Sequence, residues 1–194
     1  VAIAKAHLTN PAIWERSTIN EILKAGDDFY GRCLKKAISP SKEGFIEVTD
    51  LRPRAILFDC DVKFTFPPVP ISLYLYEQYD LLAELENFFK DHSYGIILND
   101  TYARAIFHSE GLYYLFDSHE NDSNGMPSDR GFALLLQFVS IMKLCNHLFE
   151  MVKDLVIGSE QDLSKLQFDL SHIECTFDEI LHTDTASSDI QNES

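Results

Sequence analysis

An acid and an imidazole stand two residues apart in Asp117-Ser-His119, at the end of the apolar run Gly111-Leu-Tyr-Tyr-Leu-Phe116. Side chains alternate along a strand, so Asp117 and His119 are expected on one side and Ser118 on the other. An acid so placed fixes the tautomer of the histidine and stabilises its protonated form. The other ring nitrogen is then free to act as a base toward a nucleophile. The pair opens into the polar loop Glu120 to Arg130 and is followed by Gly131 and a second apolar run. Sites are commonly built where a rigid strand meets a loop. Since D-x-H pairs also occur as surface or structural pairs, the functional question turns on a third member.

None of the four cysteines, Cys33, Cys60, Cys145 and Cys175, recommends itself as that member. Cys33 and Cys145 fall on apolar helical stripes and Cys175 lies near the carboxyl end. Cys60 is flanked by Asp59 and Asp61, whose negative charge disfavours a thiolate. Without paired short spacings, the four read as free thiols rather than disulfides or a zinc site. His7, His92, His108, His147, His172 and His182 show no metal-ligand spacing and are expected on the surface or in structural hydrogen bonds. No metal or cofactor is expected. Tyr74, Tyr76 and Tyr79 read as core packing, and Asn99 as a turn residue.

The elements that must position the pair follow from periodicity. Val1 to Leu8 reads as an alanine-rich helix without an amino-terminal cap, which implies a start upstream of Val1. Ser17 or Thr18 is expected to cap a helix whose apolar face carries Ile19, Ile22, Leu23, Phe29, Tyr30, Cys33 and Leu34, with Trp14 beside it. Short strands are expected at Phe45 to Val48, Ala55 to Phe58 and Val62 to Phe66, then a helix from about Tyr76 to Lys90. Tyr94 to Leu98, Tyr102 to Phe107 and Leu112 to Asp117 form an antiparallel meander joined by Asn99-Asp100 and Ser109-Glu110-Gly111. A strand at Phe132 to Gln137, a helical stripe from Phe138 to Val152 and a strand from Gln167 to Phe177 complete an α+β order. Residues 1–176 are expected to form one domain and 177–194 an acidic, disordered tail.

A hydrophobic content of 45% supports a packed core, and a net charge of −15 argues against nucleic-acid binding, which needs clustered Lys and Arg. No apolar run is long enough to span a membrane and no signal peptide is visible, so the chain reads as a soluble intracellular protein, cytoplasmic or nuclear.

Several segments carry a resemblance. Gly95-Ile-Ile-Leu98, Tyr102-Ala-Arg-Ala-Ile-Phe107, Tyr113-Tyr-Leu-Phe-Asp-Ser-His119 and Gly131-Phe-Ala-Leu-Leu-Leu136 resemble the second half of the herpesvirus large-tegument-protein deubiquitinase family. Trp14, Ile19, Ile22-Leu23, Gly26-Asp27 and Tyr30 are similar to its segment after the nucleophile helix. The resemblance covers roughly Val1 to Phe138 and implies a papain-like cysteine protease fold, with amino-terminal helices followed by a mainly antiparallel sheet. It makes Asp117 the catalytic acid and His119 the base, ubiquitin or a ubiquitin-like protein the partner, and the bond after the modifier's C-terminal glycines the substrate. The family's nucleophilic Cys and oxyanion-stabilising Gln would fall upstream of Val1, so the nucleophile is expected outside this chain. The alternative is a catalytically dead protease-like binding module.

Overall fold

The computed structural model describes residues 1–36, 50–67, 70–74, 78–99, 102–157 and 167–179. The strand expected at Phe45 to Val48 lies outside them, as do Tyr76 and His182. Helices α1 (Ala2–Leu8) and α2 (Arg16–Leu34) are separated by a short 3-10 turn at Pro11–Ile13. Strands β1 (Arg54–Leu57), β2 (Cys60–Thr65) and β3 (Ile71–Tyr74) precede α3 (Gln78–Asp91). Then follow β4 (Tyr94–Asn99), β5 (Tyr102–Ser109), β6 (Leu112–Asn121), β7 (Phe132–Phe138), α4 (Ile141–Ile157), β8 (Gln167–His172) and β9 (Glu174–Glu179).

Among the described residues two sheets form, one of six strands in the order β3-β8-β4-β5-β6-β7 and one of three in the order β1-β2-β9. All observed pairings are antiparallel. The larger sheet is covered on both faces because its central strands are apolar on both. On one side Ile97, Ile106, Leu115, Phe168 and Leu170 pack against Leu81, Leu85 and Phe88 of α3 and Leu144, Leu148 and Met151 of α4. On the other, Phe107, Tyr114 and Phe116 meet Ala2 and Ala6 of α1, Ile22 of α2 and Trp14. The small alanines let α1 lie close on the sheet.

Four expectations change. The amino-terminal cap of α2 is Glu15, whose side chain accepts from the Thr18 backbone, while the Thr18 hydroxyl accepts the Glu15 N–H. Thr18 thus takes the reciprocal role in a capping box rather than the cap itself. The run from Gln167 to Phe177 is two strands, because Ile173 breaks it and the chain passes from the larger sheet to the smaller. Phe177, read as the start of a tail, pairs with Val62 in β9. Ile71–Tyr74, unmarked as a strand, pairs with β8 at the edge of the larger sheet.

The β5–β6 hairpin positions the pair. Ser109 lies opposite Leu112, leaving Glu110 and Gly111 as a two-residue turn with φ of 52° and 77°. Left-handed backbone at both positions matches the strand twist, and it costs Gly111 little because it has no Cβ. A Cβ there would meet nothing within 4 Å, so Gly111→Ala should lose about 1 kcal/mol through backbone conformation alone. Urea denaturation of the two proteins measures it, and an unchanged midpoint would contradict the assigned turn.

Candidate active site

The β5–β6 register runs from Ser109 with Leu112 to Ala105 with Phe116, and just beyond it the side chains of Arg104 and Tyr102 meet those of Asp117 and His119. On the other flank Asp117 pairs with Leu134, but the next pair is Asn121 with Phe132. Four steps along β6 therefore match two along β7, a bulge that takes residues 118–120 out of the regular ladder. The backbone freed this way is held by side chains. The His119 N–H donates to Asp117 Oδ1 at 2.9 Å and its carbonyl accepts from Asn121 Nδ2 at 2.9 Å. Gly131 is required opposite, since a Cβ there would collide with the Asn121 backbone.

Within this frame His119 Nδ1 lies 2.6 Å from Asp117 Oδ1, and Arg104 Nε donates to Asp117 Oδ2 at 2.6 Å. The carboxylate and guanidinium are 1% and 3% exposed, whereas the imidazole is 36% exposed. The Tyr102 ring meets the imidazole edge-on at 4.9 Å between centroids, and the Arg104 guanidinium lies 5.1 Å from the same ring. Burial pushes the Asp117 carboxyl up. The hydrogen bond from the His119 ring, the Arg104 charge and the His119 backbone N–H together outweigh that and hold it at about 2. An ionised carboxylate only accepts, so Nδ1 carries the imidazole proton and Nε2 is free toward solvent. The arrangement can take a proton from a nucleophile and stabilise the resulting imidazolium.

A carboxyl held at about 2 against an ordinary 3.8 stabilises the fold above pH 4 and loses that contribution as pH falls toward 2. The shift corresponds to about 2 kcal/mol. Stability measured between pH 5 and pH 2 should fall more steeply in the parent chain than in Asp117→Asn. Equal slopes would mean that Asp117 titrates normally.

A nucleophile upstream of Val1 calls for the dyad to lie beside the amino end of α1. Asp117 follows Leu115 in the alternation and so belongs to the face covered by α3 and α4, while Ser118 follows Phe116 on the face covered by α1 and α2. Val1, Ala2, Arg104, Phe116 and Ser118 line a groove of about 640 Å³ there. His119 instead lines an adjoining depression of about 400 Å³ with Tyr102, Asn121 and Pro127, which shares Arg104 and Ser118 with that groove. A third groove of about 560 Å³, between α2 and β7, contains neither Asp117 nor His119.

No cysteine lines the His119 depression. Cys33 and Cys145 are fully buried in separate core clusters. Burial pushes the Cys145 and Cys175 thiols up to about 11, away from a thiolate at neutral pH. Among the other histidines, His7 stacks on Tyr94, His92 on His172, and His108 on Tyr113. His147, expected on the surface or in a structural bond, has a buried Nε2 with no hydrogen-bond partner. Burial lowers its pKa, and the Arg104 charge lowers it further. Asn99, expected in a turn, is buried at the end of β4 and donates to the Gln167 carbonyl. Among the described residues no three His, Cys, Asp or Glu side chains form a metal-binding group, and no helix is long and apolar enough to cross a membrane.

Helices packed on both faces of an antiparallel sheet, with an acid–imidazole pair on the penultimate strand β6, make an α+β domain of papain-like fold. A family model, the N-terminal conserved region of the herpesvirus tegument protein, matches residues 1–162, and the chain belongs to that family. Among solved structures, it is similar to the ubiquitin-specific protease encoded by a murine cytomegalovirus tegument protein, crystallised with a ubiquitin-based suicide substrate. The TM-score is 0.65 at 11% identity, over 93% of this chain and 76% of that one. Comparison with curated proteins finds no match.

Proposed function

We propose that this domain is a deubiquitinase-like cysteine protease that cleaves after the C-terminal glycines of ubiquitin or a ubiquitin-like protein. His119 is the general base and acid, Asp117 holds its ring, and the thiolate is supplied by a segment preceding Val1. In the first half-reaction the thiolate attacks the carbonyl and the imidazolium gives its proton to the leaving amine. In the second, His119 deprotonates the water that hydrolyses the thioester. The carrying observation is the ionised, buried Asp117 at 2.6 Å from Nδ1 of a half-exposed His119. Val1 lines the α1 groove, which shares Arg104 and Ser118 with the His119 depression, so a segment preceding Val1 would start near the dyad.

The placement of Asp117 and of the α1 groove on different faces of β6 favours a second reading, a protease-like module that binds its partner without cleaving it. A chain extended toward the amino terminus separates the two. Incubated with a ubiquitin C-terminal fluorogenic amide, it should turn over, whereas the 194-residue chain should release only background signal. Ubiquitin binding without turnover by the extended chain would establish the second reading. Turnover by the 194-residue chain that is lost in Cys60→Ser or Cys175→Ser would relocate the nucleophile.

A further inference from the structure

We propose that Arg104 is the positioning residue of this dyad: its guanidinium holds one oxygen of the Asp117 carboxylate so that the other is presented to His119. The inference rests on the reading of Asp117 and His119 as acid and base. It begins in the hairpin, whose two-residue turn at Glu110 and Gly111 sets the register that brings Arg104 to Asp117 and Tyr102 to His119. Removing a residue from that turn would carry the guanidinium to the wrong face of the sheet.

Each Asp117 oxygen then has a separate task. Oδ2 accepts from Arg104 Nε at 2.6 Å, and Oδ1 accepts from His119 at both the ring and the backbone N–H. A carboxylate that is 1% exposed would bind a proton unless a cation accompanied it. Once neutral, it would carry a donor of its own and would no longer dictate which imidazole nitrogen bears hydrogen. His119 cannot be that permanent cation, because a base must spend part of its cycle neutral. Arg104 is charged throughout, so Asp117 stays an acceptor whether or not His119 is protonated.

Geometry favours arginine over a simple point charge. The Nε–H is fixed in the plane of the guanidinium, and the guanidinium lies over the Tyr102 ring, whose edge meets the imidazole. Tyr102 thus steadies both cation and base from one side. From α4, His147 approaches the same network, with burial and the Arg104 charge both lowering its pKa and the charges of Asp117 and Asp122 opposing them. It therefore adds no second cation to compete for Asp117 at neutral pH.

The test uses the 194-residue chain, with carboxyl-carbon NMR following Asp117 and nitrogen NMR following the Arg104 side chain. In the parent chain Asp117 should remain ionised to about pH 2. Arg104→Gln keeps a donor but removes the charge, and should raise the Asp117 midpoint by about one to three pH units. Arg104→Lys should return most of the change. An unmoved Asp117 midpoint in folded Arg104→Gln overturns the inference. Should that variant not fold, the parent protein decides: an Arg104 Nε–H protected from solvent exchange supports the inference, and exchange at the rate of a free arginine overturns it. In the extended enzyme Arg104→Gln should lower kcat at least about tenfold with KM for the ubiquitin substrate unchanged. An inactive extended parent would defeat the protease reading, while the NMR titration would still decide what Arg104 does.

Discussion

Asp117→Ala should destabilise the domain by about 3–5 kcal/mol, more than most single substitutions. The side chain is small, so little of this comes from lost packing. The cost falls on Arg104, which is 4% exposed and whose Nη2 already has no hydrogen-bond partner. Removing the carboxylate leaves a buried guanidinium with neither water nor an anion. The same reasoning predicts the behaviour of the pair. Arg104→Met alone should cost a comparable amount by leaving Asp117 uncompensated, although Asp117 can escape part of the penalty by taking up a proton. The double variant Asp117→Leu with Arg104→Met should recover most of the loss, because replacing a whole buried ion pair with apolar groups is often neutral. Urea midpoints for the four proteins give a double-mutant cycle. A cost below about 1 kcal/mol for Asp117→Ala would mean that Arg104 reaches water and that the pair is a surface feature.

That pair marks the limit of what the sequence made visible. Strand alternation placed Asp117 and His119 together because the period of two is a local property, and the bulge beyond Asp117 did not separate them. Arg104 required the register between two strands. The register was encoded in the turn, since Ser109-Glu110-Gly111 joined the strands in the expected place. A glutamate at the first turn position hides a left-handed pair of residues that Asn-Gly would have announced, and counting back from Gly111 then gives Arg104 and Tyr102.

Other elements failed for tertiary reasons. From Gln167 to Phe177 the apolar positions change phase, from Phe168 and Leu170 to Ile173, Cys175 and Phe177, and a single strand read across that shift misses the break at Ile173, where two sheets meet. Likewise, Ile71–Tyr74 is a strand because β8 pairs with it. The helices were legible from their apolar stripes, which recur as buried Leu81, Leu85 and Phe88 in α3 and Cys145, Leu148 and Val152 in α4, although Met142 of that stripe is exposed. What periodicity could not say is which face of the sheet each helix covers. That left the face of the dyad undetermined.

His119→Ala should abolish turnover in an extended chain that carries the nucleophile, reducing kcat by about a thousandfold or more. Without the imidazole nothing takes the thiol proton, and nothing returns one to the leaving amine. Asp117→Asn should fall between that variant and the parent. The amide oxygen can still receive Nδ1–H and orient the ring, but it no longer stabilises the imidazolium, and Arg104 beneath it repels that charge. Ser118→Ala should be nearly neutral, because Ser118 is exposed on the other side of the strand and the carboxylate does not depend on it. The comparison belongs at a temperature where the Asp117 variant stays folded, checked by its circular dichroism. The order His119 worst, Asp117 intermediate and Ser118 harmless follows from the register alone. Because Ser118 borders both the α1 groove and the His119 depression, it is also the position most sensitive to an error in that register. If Ser118→Ala proved as damaging as His119→Ala in a folded protein, the hydroxyl would be in contact with the reacting groups. The roles assigned along β6 would then have to be exchanged.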